Sequence, residues 1–217
     1  MNNKPGNTLN TESRVYRLIG LTPLLGSQPA SLTLRTDYIA SKAPTEALRQ
    51  EELSVFDLDR DETGVNVFTR NRQDQICLMG HQIKGFFKEA IKATNAQLSI
   101  AAVKSKVDTM VFVEPRFIPI LRDGKPLREE DEMLERPLRA ETRQGPRTAL
   151  QSSEMVNDPW EIEIEITRIP NTGTAKSAAL TWEAIEVALQ YGAYHGLGQW
   201  RNAGYGQFRY ERVGGDD

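Results

Sequence analysis

The sequence predicts an α+β fold, with one antiparallel sheet covered on one face by two helices. Three observations carry this reading. Residues 160–168, WEIEIEITR, alternate strictly between apolar and polar side chains, the pattern of a half-buried antiparallel strand. In residues 80–95, Ile83, Phe86, Phe87, Ala90 and Ile91 fall at the 3.6-residue period of an amphipathic helix. The apolar segments of the chain then follow one another as strand, helix, strand, strand, helix, strand, the split-βαβ order.

Taken in order, residues 14–21, RVYRLIGL, form the first strand, which ends at Thr22-Pro23 because proline cannot donate to a ladder. The helix over 80–95 carries Lys84, Lys88 and Lys92 as one basic stripe beside its apolar face. Residues 107–113, VDTMVFV, are the second strand, continued by Phe117-Ile118-Pro119-Ile120 after a break at Pro115. Residues 160–168 are the third. A second helix spans 177–191, with Ala178, Trp182, Ile185, Ala188 and Leu189 on one face and Gly192 as its cap. Residues 206–213, GQFRYERV, are the last strand. The order is that of a ferredoxin-like, RRM-type core. Residues 1–13 are read as a disordered lead-in and 14–213 as a single domain with two insertions, at about 22–79 and 114–159. Turn signals lie at Asp123-Gly124 and Gly145-Pro146.

Composition bounds the function. With 217 residues, 39% hydrophobic and 26% charged, the chain can bury a core without disulfides or metal. The single cysteine, Cys77, excludes a disulfide framework and a Cys-rich zinc site, and suits a reducing cytoplasm. No apolar run approaches the ~20 residues of a membrane span, and the polar N-terminal segment does not read as a secretory signal. The net charge of −3 is unlike that of a dedicated duplex-DNA binder. The charge is patchy: residues 1–50 and 76–110 each carry +3, whereas 51–75 carry −4 and 151–217 carry −5.

Three segments stand out. Residues 196–208, GLGQWRNAGYGQF, bring Gly196, Gly198, Gly204 and Gly206 between the second helix and the last strand. Such a loop can present backbone N–H groups to a phosphate, and Trp200 with Arg201 offers a stacking plane and a cation. The alternative is a long turn with a buried Trp. Residues 78–88, LMGHQIKGFFK, open a helix at Gly80, where free N–H groups, Lys84 and Lys88 would favour an anion. The alternative is an ordinary solvated helix. Residues 18–27, LIGLTPLLGS, are a strand end and a turn.

In this order the three segments resemble the RAMP superfamily, the repeat-associated RNA-binding proteins of CRISPR effector complexes. In that family a first strand runs into L-T-P-L-h-x-G-S, a G-S-S-L-K-G-x-x-R motif opens the first helix, and a Gly-rich loop precedes the last strand. The resemblance covers most of residues 14–213 and is closest to type III-like backbone subunits. It implies an RNA-binding subunit that holds a single-stranded guide RNA by its sugar-phosphate backbone, in a filament with copies of itself and other effector subunits. It places Lys84 at the motif lysine, Gly80 and Gly85 at the flanking glycines, and Gly198, Gly204 and Gly206 at the loop glycines. The expected RNA-binding set is Gly80, His81, Gln82, Lys84, Lys88, Gly198, Gln199, Trp200, Arg201, Asn202 and Gly204, with Arg143 and Arg147 from the arginine-rich stretch 136–147. Departures are His81 and Gln82 in place of the serines, Lys88 in place of the arginine, and Ala203 in the loop.

No motif of nucleophilic or metal chemistry is present, and neither a metal nor a cofactor is expected. Two alternatives stand beside RNA binding. One is an endoribonuclease of the same superfamily, using Asp37 in LRTDYIASK, or His81 with His195. The other is a stand-alone RAMP-fold adaptor or inhibitor that carries no RNA.

Overall fold

The structure is a computed structural model and describes residues 9–30, 64–142, 145–170 and 179–215; for 138–142, 145–149 and 215 it describes the backbone alone. The protein is mixed α+β. Its strands are β1 (Glu12–Gly20), β2 (Leu24–Leu25), β3 (Gln28–Pro29), β4 (Val65–Val67), β5 (Thr69–Arg70), β6 (Ile76–Met79), β7 (Val111–Glu114), β8 (Phe117–Pro119), β9 (Leu121–Arg122), β10 (Lys125–Pro126), β11 (Glu132–Thr142), β12 (Gly145–Val156), β13 (Glu161–Arg168) and β14 (Phe208–Gly215). The helices are α1 (Gly80–Ala93), α2 (Asn95–Leu98), α3 (Val103–Met110) and α4 (Trp182–His195), with a 3-10 turn at Arg201–Ala203.

The largest sheet runs β10–β9–β13–β1–β14, with β7 also on β13. Within it β14, β1, β13 and β7 are successive neighbours, and each pairing is antiparallel. The alternation read in 160–168 sets the two faces. Ile162, Ile164 and Ile166 of β13 are fully buried, as are Tyr16 and Leu18 of β1 and Phe208 of β14. Helices α1 and α4 pack against each other and close the core over these side chains. Phe86 and Phe87 of α1 stand edge-on to one another at 5.8 Å, and Phe86 meets Phe208 at 5.4 Å. Each such side chain, fully buried, contributes about 1.5–3 kcal/mol. The other face carries Arg17, Glu161, Glu163, Glu165, Glu114, Arg209 and Glu211.

A second sheet, β11–β12–β4–β3 with β2 also on β12, is dominated by the long β11–β12 hairpin. A third joins β5, β6 and β8. Among the described residues no helix is long and apolar enough to cross a membrane.

Several sequence expectations change. The first strand begins at Glu12, so Glu12 and Ser13 belong to the sheet rather than to a lead-in. Residues 103–110 are helical, and only Val111–Glu114 is strand. Val103 and Val107, both buried, are one helical turn apart; Val107, read together with Val111, Phe112 and Val113, disguised the end of this helix as β-branched strand. Phe117–Pro119 does not continue that strand; it pairs with β6 in the third sheet. The second helix starts at Trp182, where the Thr181 hydroxyl accepts from the Ala184 N–H at 3.2 Å. Gly192 is not its cap. It lies inside α4, where a Cβ would sit 2.1 Å from the Phe208 ring, and the helix ends at His195. The Asp123-Gly124 turn stands as expected: both residues have positive φ and join β9 to β10. Residues 1–8 and 31–63 lie outside the described residues, and with them most of the first insertion.

Candidate functional site

The three segments singled out in the sequence meet at one cleft of about 470 Å³. Ser27, Gln28 and Pro29 supply one wall. His81, Gln82, Gly85 and Glu89 supply a second from α1, and Leu197, Gly198 and Arg201 a third. His81, Gly85 and Glu89 recur every four residues, so a single helical face lines the cleft.

Local chemistry builds each wall. After β1 the chain is tied to the glycine loop: the Gly206 N–H donates to the Pro23 carbonyl at 2.8 Å, and the Gln207 N–H to the Thr22 hydroxyl at 2.9 Å. Gly206 has φ +72°, and a Cβ there would lie 2.0 Å from the Leu197 carbonyl oxygen, so only glycine lets the loop close on itself. At Gly198 a Cβ would lie 2.6 Å from the Leu25 carbonyl. These motif glycines therefore serve close packing of backbone on backbone within the protein. At Gly204, by contrast, a Cβ would meet nothing within 4 Å.

Gln82 joins two walls. Its carbonyl accepts from the Met79 N–H at 2.7 Å, capping α1, and its amide donates to the Ser27 hydroxyl at 2.6 Å. The Gly80 N–H is not free for an anion, because it donates to the Arg116 carbonyl at 2.9 Å and Gly80 is buried against β7.

Glu89 is the carboxylate of the cleft. It accepts from Arg201 at 2.6 Å and bonds to His195 at 3.2 Å. Burial raises its carboxyl pKa, but the hydrogen bonds from Arg201 and His195 outweigh this and hold it below the usual carboxylate range.

The expected lysines are elsewhere. Lys84 and Lys88 lie on the flank of α1 that faces α3. Lys84 donates to the Asp108 carbonyl at 2.8 Å and sits over the Phe112 ring; Lys88 pairs with the Asp108 carboxylate. Burial lowers the Lys84 pKa despite the nearby Asp108. The cause is the helical period: positions 84 and 88 lie about 100° round the helix from 85 and 89.

In the loop, Gln199 turns inward. Its carbonyl accepts from Arg136 at 2.7 Å and Asn66 at 2.9 Å, anchoring the loop to the second sheet. Trp200 is 42% exposed, stacks on Tyr205 at 5.4 Å and has Arg136 over its ring at 4.7 Å. Asn202 is exposed in the 3-10 turn. Among the described residues, no backbone carbonyl accepts from the N–H of Gly198, Gln199 or Trp200. Asp37 and Arg143 lie outside the described residues, and Arg147 is described only as backbone in β12.

His195 is bound at Glu89, and His81 stands two helical turns before Glu89 on α1, roughly 12 Å along the axis. Among the described residues no group of His, Cys, Asp and Glu is placed to hold a metal ion.

Glu89 was not anticipated, and Arg136, though part of the arginine-rich stretch, was not among the expected RNA-binding residues. Glu89 was readable, being four and eight residues from Gly85 and His81. Arg136 needed β11 to be recognised: Leu134 and Arg136 alternate inward on that strand. No protein-family model matches the chain, and no curated protein matches it.

Proposed function

We propose that the protein holds single-stranded RNA by its sugar-phosphate backbone, as a repeating subunit of a CRISPR-type ribonucleoprotein with a ferredoxin-like core. The observation that carries this reading is the convergence of the three motif segments on one cleft, although Ser27, His81 and Gly198 are far apart in sequence. The strand order β14–β1–β13–β7, with α1 and α4 as crossovers, supports the ferredoxin-like assignment. The contacts on the RNA side are the amides of Gly198, Gln199 and Trp200, the Arg201 guanidinium and His81. Contacts of this kind carry no base information, so binding is salt-dependent and weakly selective for sequence.

The test is anisotropy of a labelled single-stranded RNA against salt concentration, with a parallel measurement of nucleic acid retained on purification. The reading expects binding that weakens with salt and falls about tenfold in Arg201→Gln, with a smaller change in Lys84→Gln. Binding unaffected by Arg201→Gln contradicts it.

One observation favours a second reading, an adaptor of the same fold without RNA. The helix lysines are engaged by Asp108, and a carboxylate, Glu89, faces the cleft. Protein purified without nucleic acid and unable to bind the labelled RNA would support that reading.

A further inference from the structure

Among the described residues, three guanidiniums lie against indole rings. Arg14 and Arg168 stand over Trp182, at 4.6 Å and 5.4 Å, and Arg136 stands over Trp200 at 4.7 Å. The first two each have a carboxylate. Arg14 meets Glu186 at 2.9 Å, and Arg168 meets Glu12 at 2.6 Å. Arg136 has none among the described residues.

Arg136 is also 5% exposed, and among the described residues its Nε and Nη1 atoms are buried without a hydrogen-bond partner. Among the same residues Nη2 donates to the Gln199 carbonyl. A guanidinium stays protonated in a protein, so it cannot relieve its own desolvation by neutralising. A buried charge is ordinarily paired. Gln199, which it donates to, is uncharged, and so are Asn66 and Ser153, which bond to the same Gln199 carbonyl. Nη2 keeps a second N–H, which lies beside either Nε–H or Nη1–H, so one edge of the guanidinium can grip an anion as a fork, the geometry that matches a phosphate.

We propose that Arg136 is an anion-binding residue that takes a phosphate of the bound RNA backbone, admitted past the half-exposed Trp200 ring. The identity of the phosphate rests on the RNA reading above, and the existence of the anion site does not. The site joins the β11–β12 hairpin to the glycine loop through Gln199, so a phosphate here would tie the second sheet to the strand held in the cleft.

The experiment uses the full chain, a fluorescein-labelled mixed-sequence 20-nucleotide RNA over a KCl series, and thermal melts in chloride and in phosphate at matched ionic strength. For Arg136→Met the proposal expects RNA affinity at least about tenfold weaker, with the slope of log Kd against log[KCl] shallower by about one. It also expects a Tm in chloride no lower than wild type, because an unpaired buried charge is removed. Phosphate should raise the Tm of wild type and leave that of Arg136→Met unchanged. Should Arg136→Met fail to fold, Arg136→Lys carries the test, with weaker RNA binding at a wild-type Tm. A variant that binds RNA as tightly as wild type overturns the proposal. If wild type binds no RNA, the phosphate melts decide: a shift in wild type alone keeps the anion site and rejects the RNA reading, whereas equal shifts or none reject the site as well.

Discussion

Two surfaces flank the central sheet of this protein, and they differ in charge and construction. The open face of β1, β13, β14 and β7 holds a hollow of about 500 Å³ beside Glu114, Glu163 and Glu165, and its carboxylates outnumber its guanidiniums: Glu114, Glu161, Glu163, Glu165 and Glu211 stand against Arg17, Arg209 and the neighbouring Arg116. Arg17 is itself held by Glu163 at 3.4 Å and Arg209 by Glu211. The cleft beside α1 is concave; among the described residues it leaves loop amides without backbone acceptors, and Glu89, the carboxylate lining it, is held by Arg201 and His195. In RNA-recognition domains aromatic residues on the open sheet face stack bases. Here that face would repel a phosphate backbone. Strand order alone thus does not single out a surface for the proposed RNA; the distribution of charge favours the cleft.

The largest effect expected from breaking this contrast is at Gly206. Gly206→Ala forces a Cβ into the Leu197 carbonyl at a left-handed backbone angle and should cost roughly 3 kcal/mol, or about 10 °C in Tm. RNA binding should fall with it. Gly204→Ala has a similar backbone angle but open space, and should cost only about 1 kcal/mol. Differential scanning fluorimetry of the pair separates close packing from backbone conformation, and equal losses would contradict the account.

The next effect sharpens the charge comparison. Glu89→Gln removes the carboxylate from the cleft and releases Arg201, so labelled-RNA titrations should show affinity several-fold tighter. Glu163→Gln, on the open face, should leave affinity within about twofold and stability within about 0.5 kcal/mol. Equal responses to the two changes would erase the distinction between the surfaces.

The smallest effect is in acid. Glu89 and Asp131 both have lowered pKa values in the folded protein, Asp131 chiefly through its hydrogen bond from Arg122. A lowered carboxyl pKa stabilises the fold above the unfolded value, about pH 4. That stability is lost as pH falls through the folded value. Urea titrations should show a midpoint that is flat from neutrality to about pH 5 and drops below pH 4. The drop should be shallower in Asp131→Asn, and an unchanged profile in that variant would count against the ion pair.

How much of this was legible in the sequence depended on whether a pattern was local. The strict alternation of 160–168 and the apolar stripe of α1 need no partner to be read, and both stand where periodicity put them. Residues 107–110 were misread because Val107 and Met110, running on into Val111, Phe112 and Val113, fit a strand as readily as the last turn of a helix over so short a span. The long β11–β12 hairpin was hidden by its charges: Glu132, Glu135 and Arg136 read as a solvated loop, and only the pairing with β12 turns Arg136 inward. Glycines and turn residues marked the segments that line the cleft, but the lysine stripe drew attention to a flank of α1 that does not line it. Which face of a helix borders a cleft is decided by what packs on the other faces, and α3, which claims Lys84 and Lys88, was not recognised as a helix.

The most direct test of the central claim is to map where RNA touches the protein. Photo-cross-linking of a 4-thiouridine-substituted single-stranded RNA, read by mass spectrometry, should place cross-links in residues 27–29, at His81, Gln82, Gly85 and Glu89, and in 197–202. Cross-links confined to 161–165 and 209–211 on the open sheet face, or none above the background of a high-salt control, would contradict it.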